Sequence, residues 1–207
     1  KMVSGEAQII LGTQMLAKGL HLERVTLVGV ILADIGLFMP DFRAQERTFS
    51  LLMQVSGRAG RISPGEVLIQ TYMPEHDAIR LAAAHDYEGF VAAEMKRRER
   101  LRFPPVERLI ALTISDDDRT RAQSAARELS GLMRKLIHRT EFNRVAVLGP
   151  QAAPIERLGG RFRERILLRA ANIRAASAML RLALADPHWR PSTKTNLTID
   201  VDPLDLL

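Results

Sequence analysis

The first part of the chain carries three short apolar runs, which predict strands. The runs span residues 7–11, 25–33 and 66–72 and are rich in Ile, Leu and Val. The first two contain no polar alternation, which is typical of strands buried on both faces of a parallel sheet. Because the first run begins a few residues into the sequence, with no strand or helix before it, we expect an incomplete α/β domain.

A helix is predicted between the second and third runs. Phe49, Leu52 and Met53 recur at the spacing of one helix face before Gly57. Asp41 precedes them and is a candidate N-cap residue, because its carboxylate could accept a free backbone N–H of the first turn. The order of strand, helix and strand indicates a βαβ unit.

A helical stretch follows and ends at a pair of prolines. Residues 74–101 read as helical, with Asp86 as a possible cap, and Pro104-Pro105 stops the pattern. We therefore predict a connector between two domains. The predicted segments are 1–75, 76–105 and 106–207.

The remaining third segment shows a regular succession of elements. Strand patterns occupy 109–115, 144–148, 161–169 and 196–202, and helical patterns run from 122 to 136 and from 173 to 184. This βαββαβ order predicts a ferredoxin-like domain, which is an architecture that hosts many functions.

The composition narrows the classes of function. Lysine and arginine number 30 against 24 acidic residues, a net charge of +6, which fits a polyanionic partner and equally a basic solvated surface. The chain has no cysteine, which excludes disulfides, thiolate metal sites and thiol nucleophiles. Its five histidines show no metal-ligand spacing, so we expect no bound metal. The longest apolar run is too short to cross a bilayer and no signal peptide is visible, so we expect a cytoplasmic protein without a membrane partner.

The segment 12–19, GTQMLAKG, directly follows a predicted buried strand. Loops at the carboxyl ends of such strands contact ligands in α/β proteins. Its glycine, hydroxyl and lysine could bind a phosphate through backbone N–H groups and charge, but an ordinary turn has the same composition.

The segment 54–61, QVSGRAGR, carries two arginines three residues apart. The intervening glycines remove bulk, so Arg58 and Arg61 can present two guanidinium groups to one polyphosphate and neutralise charge that grows during phosphoryl transfer. The alternative is a solvated basic helix end with a glycine C-cap. That alternative explains neither the glutamine nor the pairing of glycines with arginines.

The two segments resemble motifs V and VI of superfamily 2 helicases. The sequence between them, ADIGLFMPDFRAQERTFSLLMQ, is similar to that of the PriA family of primosomal replication-restart helicases, as are the Pro104-Pro105 break, the LGP at 148–150, the GGR at 159–161 and the DVDP at 200–203. The resemblance covers essentially the whole chain. It implies a truncated second RecA-like helicase lobe followed by the ferredoxin-like domain.

The resemblance implies a nucleotide site at the second motif. Arg58 and Arg61 would reach the γ-phosphate of ATP, with Arg61 as the arginine finger, Gln54 orienting them and Gly57 completing the site. The chain has no GxxxxGK[ST] sequence and no acidic motif II, so it cannot hydrolyse ATP alone. ATP and magnesium are expected in a full-length protein and no cofactor for this chain, since the cysteine-rich zinc region of the family is absent.

The resemblance also implies a DNA contact at the first motif. Gly12, Thr13 and Gln14 match the loop that contacts the DNA backbone in such helicases, and Lys18 would add positive charge there.

Arginines alternate with apolar residues along the predicted strand 161–169. Alternation places Phe162, Ile166 and Leu168 on one face and Arg161, Arg163, Arg165 and Arg169 on the other. Four like charges on one face would repel one another, so phosphates or an acidic peptide are reasonable ligands, unless the face is solvated and screened by salt. By resemblance, Arg161, Arg163 and Arg165 would receive the acidic tail of single-stranded DNA-binding protein.

Trp189 is the single tryptophan. It could stack on a base or on a partner's phenylalanine. Closing an edge of the core is the more frequent role of such a residue, and we favour it.

Three functions remain open. By resemblance, the chain is part of an ATP-dependent 3′–5′ DNA helicase that recognises stalled or branched forks and starts primosome assembly with other primosome proteins. Alternatively, it is an isolated module that binds forked, branched or single-stranded DNA and single-stranded DNA-binding protein without motor activity. A regulatory ferredoxin-like domain without a nucleic-acid function ranks last, because it leaves QVSGRAGR unexplained.

Overall fold

The chain divides into two compact units, one ending at Arg97 and the other beginning at Arg98. The computed structural model describes residues 8–13, 25–57 and 65–206. Within these ranges no helix is long and apolar enough to span a membrane.

The first unit contains a small parallel sheet. Strand β1 (Leu27–Val30) pairs in parallel with β2 (Glu66–Ile69). Between them in sequence lie a 3-10 helix, Ala33–Phe38, and helix α1 (Ala44–Ser56). The predicted order of strand, helix and strand and the parallel pairing are confirmed, although both strands are shorter than the apolar runs that predicted them.

Two helices follow β2, where one helical stretch was predicted. They are α2 (Asp77–Ala83) and α3 (Tyr87–Leu101). The stretch is interrupted where His85 takes a left-handed conformation, with φ of 55°. Asp86 then accepts the N–H of Gly89 at 2.8 Å, so its predicted capping role at the start of α3 is confirmed.

The core of the first unit is built mainly from α1, α2 and α3. The rings of Phe49 and Phe90 stack with centroids 4.0 Å apart and an interplanar angle of 3°. The buried members of this core are Ala33, Phe49, Leu52, Ala78, Ile79, Leu81, Ala82 and Phe90. The helix face predicted from Phe49 and Leu52 is therefore the buried one.

The prediction of strands buried on both faces is wrong. Residues 8–13 form no strand, and Ile9 and Leu11 are 82% and 86% exposed. In the paired strands, Leu27 and Leu68 are also more than half exposed. A strand is covered on both faces where helices and neighbouring strands pack on it, and the described part of this unit supplies two short strands.

The predicted cap of α1 is also wrong. The N-cap residue is Arg43, whose side chain makes no cap hydrogen bond. Asp41 lies two residues earlier, where its Oδ1 accepts the Arg43 N–H at 2.8 Å and its Oδ2 pairs with Arg47 at 3.2 Å. Its carboxylate therefore holds the turn before the helix.

The second unit has the predicted βαββαβ order. Its elements are β3 (Arg108–Asp116), α4 (Arg119–Leu136), β4 (Val145–Leu158), β5 (Arg161–Ala170), α5 (Ile173–Leu184) and β6 (Asn196–Val201). The four strands form one sheet in the order β4-β5-β3-β6, and all neighbours are antiparallel. Strand β5 is thus an inner strand.

Helices α4 and α5 cover one face of this sheet with a continuous core. Its buried members include Ile110, Leu112, Ile114, Ala125, Ala126, Leu129, Met133, Ile166, Leu168, Met179 and Leu180. Trp189 packs against this core, and its Nε1 donates to the Ala125 carbonyl at 3.4 Å. Its predicted position at a core edge is confirmed.

Strand β4 continues ten residues beyond its predicted end at Leu148. Gly149 has a φ of 90°, and a Cβ there would lie 2.7 Å from the Arg165 carbonyl oxygen, so this position requires glycine. The strand then runs to the turn at Gly159 and Gly160, both with positive φ, which suits a two-residue hairpin loop. The extension therefore forms a β4-β5 hairpin.

Candidate nucleotide and nucleic-acid sites

The predicted nucleotide site begins at the carboxyl end of α1. Gln54 is exposed in the last turn of the helix, and Gly57 is its C-cap residue, donating its N–H to the Met53 carbonyl at 3.1 Å. Arg58 and Arg61 lie outside the described residues. Their contact with ATP stays a prediction.

The predicted DNA loop of the first unit is described in part. Gly12 and Thr13 are exposed in irregular chain, while Gln14 and Lys18 lie outside the described residues. This loop does not follow a strand, contrary to the argument from sequence for placing a ligand there.

A buried carboxylate joins the carboxyl ends of β1 and β2, and the sequence analysis did not single it out. Asp34 is 3% exposed. Its two oxygens accept the Thr71 hydroxyl at 2.7 Å and the Tyr72 N–H at 3.0 Å. The Thr71 hydrogen bond is the largest cause that lowers the pKa of Asp34. The signal in the sequence was an aspartate at the end of an apolar run.

The four arginines of β5 lie on one face of the second sheet, as predicted. Ile166 and Leu168 point to the helices and are fully buried in the core. Opposite the arginines on β3 stand Ser115, Thr113 and Leu109, on the face away from the helices.

The arginines of this face are held in place, because groups of the same unit accept their hydrogen bonds. Arg161 donates to the carbonyls of Ser115, at 2.8 Å, and of Lys194. Arg163 donates to the Ile155 carbonyl at 3.3 Å. These carbonyls satisfy N–H groups without removing the positive charges, so the binding of an anion to this face stays a prediction.

The other two arginines of the strand, Arg165 and Arg169, contact the chain segments that follow β6 and precede β3. Arg165 is 5% exposed and donates to the Leu206 carbonyl. Arg169 pairs with Glu107 at 3.0 Å and donates to the Leu101 carbonyl at 2.8 Å. Of the three residues predicted to bind the acidic tail, Arg161 and Arg163 are half-buried and Arg165 is covered.

Near the end of the β4-β5 hairpin, Arg157 of β4 and Arg119 of α4 both contact Phe162, an arrangement that the sequence did not reveal. The guanidinium carbons of Arg119 and Arg157 lie 5.5 Å and 5.1 Å from the ring centroid of Phe162. Arg119 also pairs with Glu156. Cation–π contacts of this kind fix the positions of guanidinium groups at an exposed end.

The turn between β3 and α4 carries three aspartates, and one of them binds Thr195, which follows the Lys194 carbonyl that Arg161 contacts. Asp116 is fully buried and accepts the Thr195 hydroxyl at 2.7 Å, the Arg121 Nε–H at 3.0 Å and the Asp118 N–H at 2.9 Å. Asp118 accepts the Arg121 N–H at 2.9 Å and is the N-cap of α4. Burial raises the pKa of Asp116, but these hydrogen bonds outweigh it and hold the pKa well below its usual range.

Metal binding finds no support in the described ranges. Within 8–13, 25–57 and 65–206, no group of three or more His, Cys, Asp or Glu side chains could hold a metal ion.

A comparison with protein families matches the second unit. The family model described as the primosomal protein N C-terminal domain covers residues 99–204, half of the chain. The chain belongs to this family. The matched region runs from the end of α3 to just past β6, so the family signature includes the whole four-stranded sheet.

Curated relatives match nearly the full chain. Proteins named replication restart protein PriA are 41% identical over 206 residues in Bacillus subtilis (strain 168) and 40% identical over 205 residues in Treponema pallidum (strain Nichols). These matches cover 96% and 99% of this chain but 24% and 30% of the relatives. The chain thus spans less than a third of the length of either relative.

The buried carboxylate of Asp116 predicts a pH dependence of stability. Its folded-state pKa is below that of an unfolded aspartate, about 3.9, so it stabilises the fold fully above that pH and loses the contribution as pH falls further. We expect the free energy of unfolding of the second unit to fall below about pH 4, with Trp189 fluorescence as the probe. Asp116→Asn should flatten this dependence, whereas Asp200→Asn, at an exposed site on β6, should keep it. An unchanged dependence in Asp116→Asn would contradict the assignment.

Proposed function

We propose that the chain serves bacterial replication restart in the cytoplasm, with its second unit binding forked, branched or single-stranded DNA. The observation that carries this proposal is identity of about 40% over nearly the whole chain to proteins named for replication restart. Its expected protein partners are the acidic tail of single-stranded DNA-binding protein and other primosome proteins.

The geometry of the second unit favours a binding role. Its antiparallel sheet, in the order β4-β5-β3-β6 with two helices on one face, supports the ferredoxin-like assignment. The opposite face of the sheet is not covered by these two helices, and it carries the arginines of β5. Arg163 and the hairpin residues around Phe162 remain partly open to solvent. Arginine side chains supply many phosphate contacts in protein–DNA complexes.

A contribution to an ATP-driven DNA helicase is the second part of the proposal. The C-cap residue of α1, Gly57, comes directly before Arg58 in the sequence, and the resemblance of QVSGRAGR to helicase motif VI supports a nucleotide role for Arg58 and Arg61. They would act on ATP and magnesium bound by a phosphate-binding loop elsewhere in a longer protein. The first unit would then be part of a RecA-like lobe.

The motor role predicts a severe loss of activity on removing Arg61. In a replication restart protein that carries this chain, Arg61→Ala should lower the kcat of DNA-stimulated ATP hydrolysis by roughly a thousandfold or more, as for other arginine fingers. Nucleotide binding should persist. Arg80→Ala removes an exposed arginine that pairs with Asp77 on α2 and should leave kcat unchanged. A kcat that survives Arg61→Ala would exclude the arginine-finger role.

The binding role predicts a measurable contribution from Arg163. Fluorescence anisotropy of a labelled fork DNA should show weaker binding by Arg163→Ala, with the slope of log affinity against log salt smaller by about one. Arg163 is a cleaner target than Arg161, whose hydrogen bonds to two carbonyls also hold the unit together. A labelled acidic peptide ending in phenylalanine tests the partner role in the same assay. If neither ligand binds the wild type at low salt, the binding role is wrong.

A further inference from the structure

A second basic site lies in the second unit, at the start of β4. It is a cavity of about 370 Å³ lined by Arg102, Glu107, Asn143, Arg144, Val145, Ala146, Arg169 and Ala171. The charged lining residues are three arginines and one glutamate, so the formal charge of the cavity wall is positive by two. Of these residues, only Arg169 belongs to the arginine face that the sequence predicted on β5.

Glu107 holds two of the three arginines in place. It is 5% exposed. Its Oε1 pairs with Arg102 at 2.6 Å and its Oε2 with Arg169 at 3.0 Å. Because a buried carboxylate fixes both guanidinium groups, they lose little further freedom on binding a ligand.

Arg102 reaches Glu107 from an unusual backbone position. It follows the last residue of α3 with φ of 58°. Glycine is the usual residue at such a left-handed helix end. Arg102 nevertheless stands here and forms an ion pair with Glu107. Its side chain remains 63% exposed, so it can also contact a ligand.

Arg144 has no such structural role. It is exposed in the turn before β4. Among the residues that the structure describes, no hydrogen bond or ion pair links its guanidinium group to another side chain or carbonyl. The neighbouring Asn143 is exposed as well and adds an amide at the mouth of the cavity.

We propose that this cavity binds one phosphate group of a DNA strand through Arg144, which is exposed, and through Arg102 and Arg169, which Glu107 holds in place. The inference rests on the proposed DNA-binding function and names a site for it. Guanidinium forks match phosphate oxygens in geometry and charge. A phosphodiester group carries one negative charge, so its binding leaves the cavity wall with a formal charge of plus one. Neighbouring phosphates of the strand can screen that charge.

The lining favours a phosphate over the acidic peptide considered above. The apolar part of the wall consists of Val145, Ala146 and Ala171, which are small side chains. A peptide anchored by a phenylalanine needs a larger apolar or aromatic pocket. A phosphate needs charge and N–H donors, and the cavity supplies both.

Arg144→Ala tests the proposal without disturbing the fold, because its side chain makes no contact that holds the unit together. Anisotropy titration of labelled fork DNA with the whole chain should show an affinity lower by roughly three- to tenfold and a salt slope smaller by about one. Arg144→Lys should recover the slope and only part of the affinity, since lysine keeps the charge but lacks the fork. Arg127→Ala is the matched control, since Arg127 is exposed on α4 and donates to Gln123 of its own helix.

Two DNA preparations distinguish the sources of the phosphate. A loss of affinity on fork DNA with 5′-hydroxyl ends supports an internal phosphodiester. A loss confined to DNA with 5′-phosphate ends still supports the phosphate site but assigns it to a strand terminus.

Two outcomes would overturn the inference. The first is that the wild type, Arg144→Ala and Arg127→Ala all bind fork DNA with the same affinity. This result would exclude the cavity as a DNA contact and leave the proposed DNA-binding function intact. The second is that Arg144→Ala weakens the acidic peptide and not the DNA, which assigns the cavity to a protein partner. If the wild type binds no DNA, the failure lies in the proposed function itself.

Discussion

The second unit depends on acceptors for the guanidinium groups of an inner strand. Strand β5 lies between β3 and β4, and its side chains alternate between the core and a face that carries four arginines. Burying an arginine such as Arg165 on an inner strand costs several kcal/mol unless acceptors meet at least part of its guanidinium group. The acceptors come from segments far apart in sequence. They are the carbonyls of Leu101, Ser115, Ile155, Lys194 and Leu206 and the carboxylate of Glu107.

This requirement divides the arginines into two functional groups. Arg165 and Arg169 hold the chain segments that follow β6 and precede β3. Arg163 on β5 and Arg144 before β4 have half-exposed and exposed side chains. A ligand that binds positive charge would therefore meet Arg163 or Arg144 first, and beside Arg144 it would also reach Arg169 in the cavity wall. The net charge of +6 does not show this division, because it counts buried and exposed arginines alike.

The sequence predicted the elements of the second unit well, because its periodicity reports directly which side of each element is buried. Ala122, Ala125 and Leu129 recur on one helix face and are buried in α4. The alternation along β5 likewise separated Ile166 and Leu168 from the arginines. These are local properties of the chain, and tertiary packing did not override them.

The predictions that proved wrong share one cause. Each concerned a property that depends on tertiary contacts with other segments of the chain. The apolar run 7–11 has the composition of a buried strand, yet Ile9 and Leu11 are exposed, since burial requires covering layers that a pattern cannot reveal. Asp41 is a residue type that commonly caps helices, but it lies two residues before the N-cap position, which Arg43 occupies. The carbonyl acceptors of the arginines could not be predicted either, because every residue has a carbonyl and only the fold decides which ones face β5.

Arginine-selective chemical footprinting tests the central claim, which is that DNA contacts arginines left without a buried internal role. The whole chain is treated with phenylglyoxal with and without fork DNA, and each modified arginine is identified by mass spectrometry. Arg144 and Arg163 should react in the free chain and be protected by DNA, while Arg127 should react equally in both and Arg165 in neither. Protection of Arg127 together with unchanged reactivity of Arg144 and Arg163 would contradict it and would move the DNA contact to the helical face of the unit.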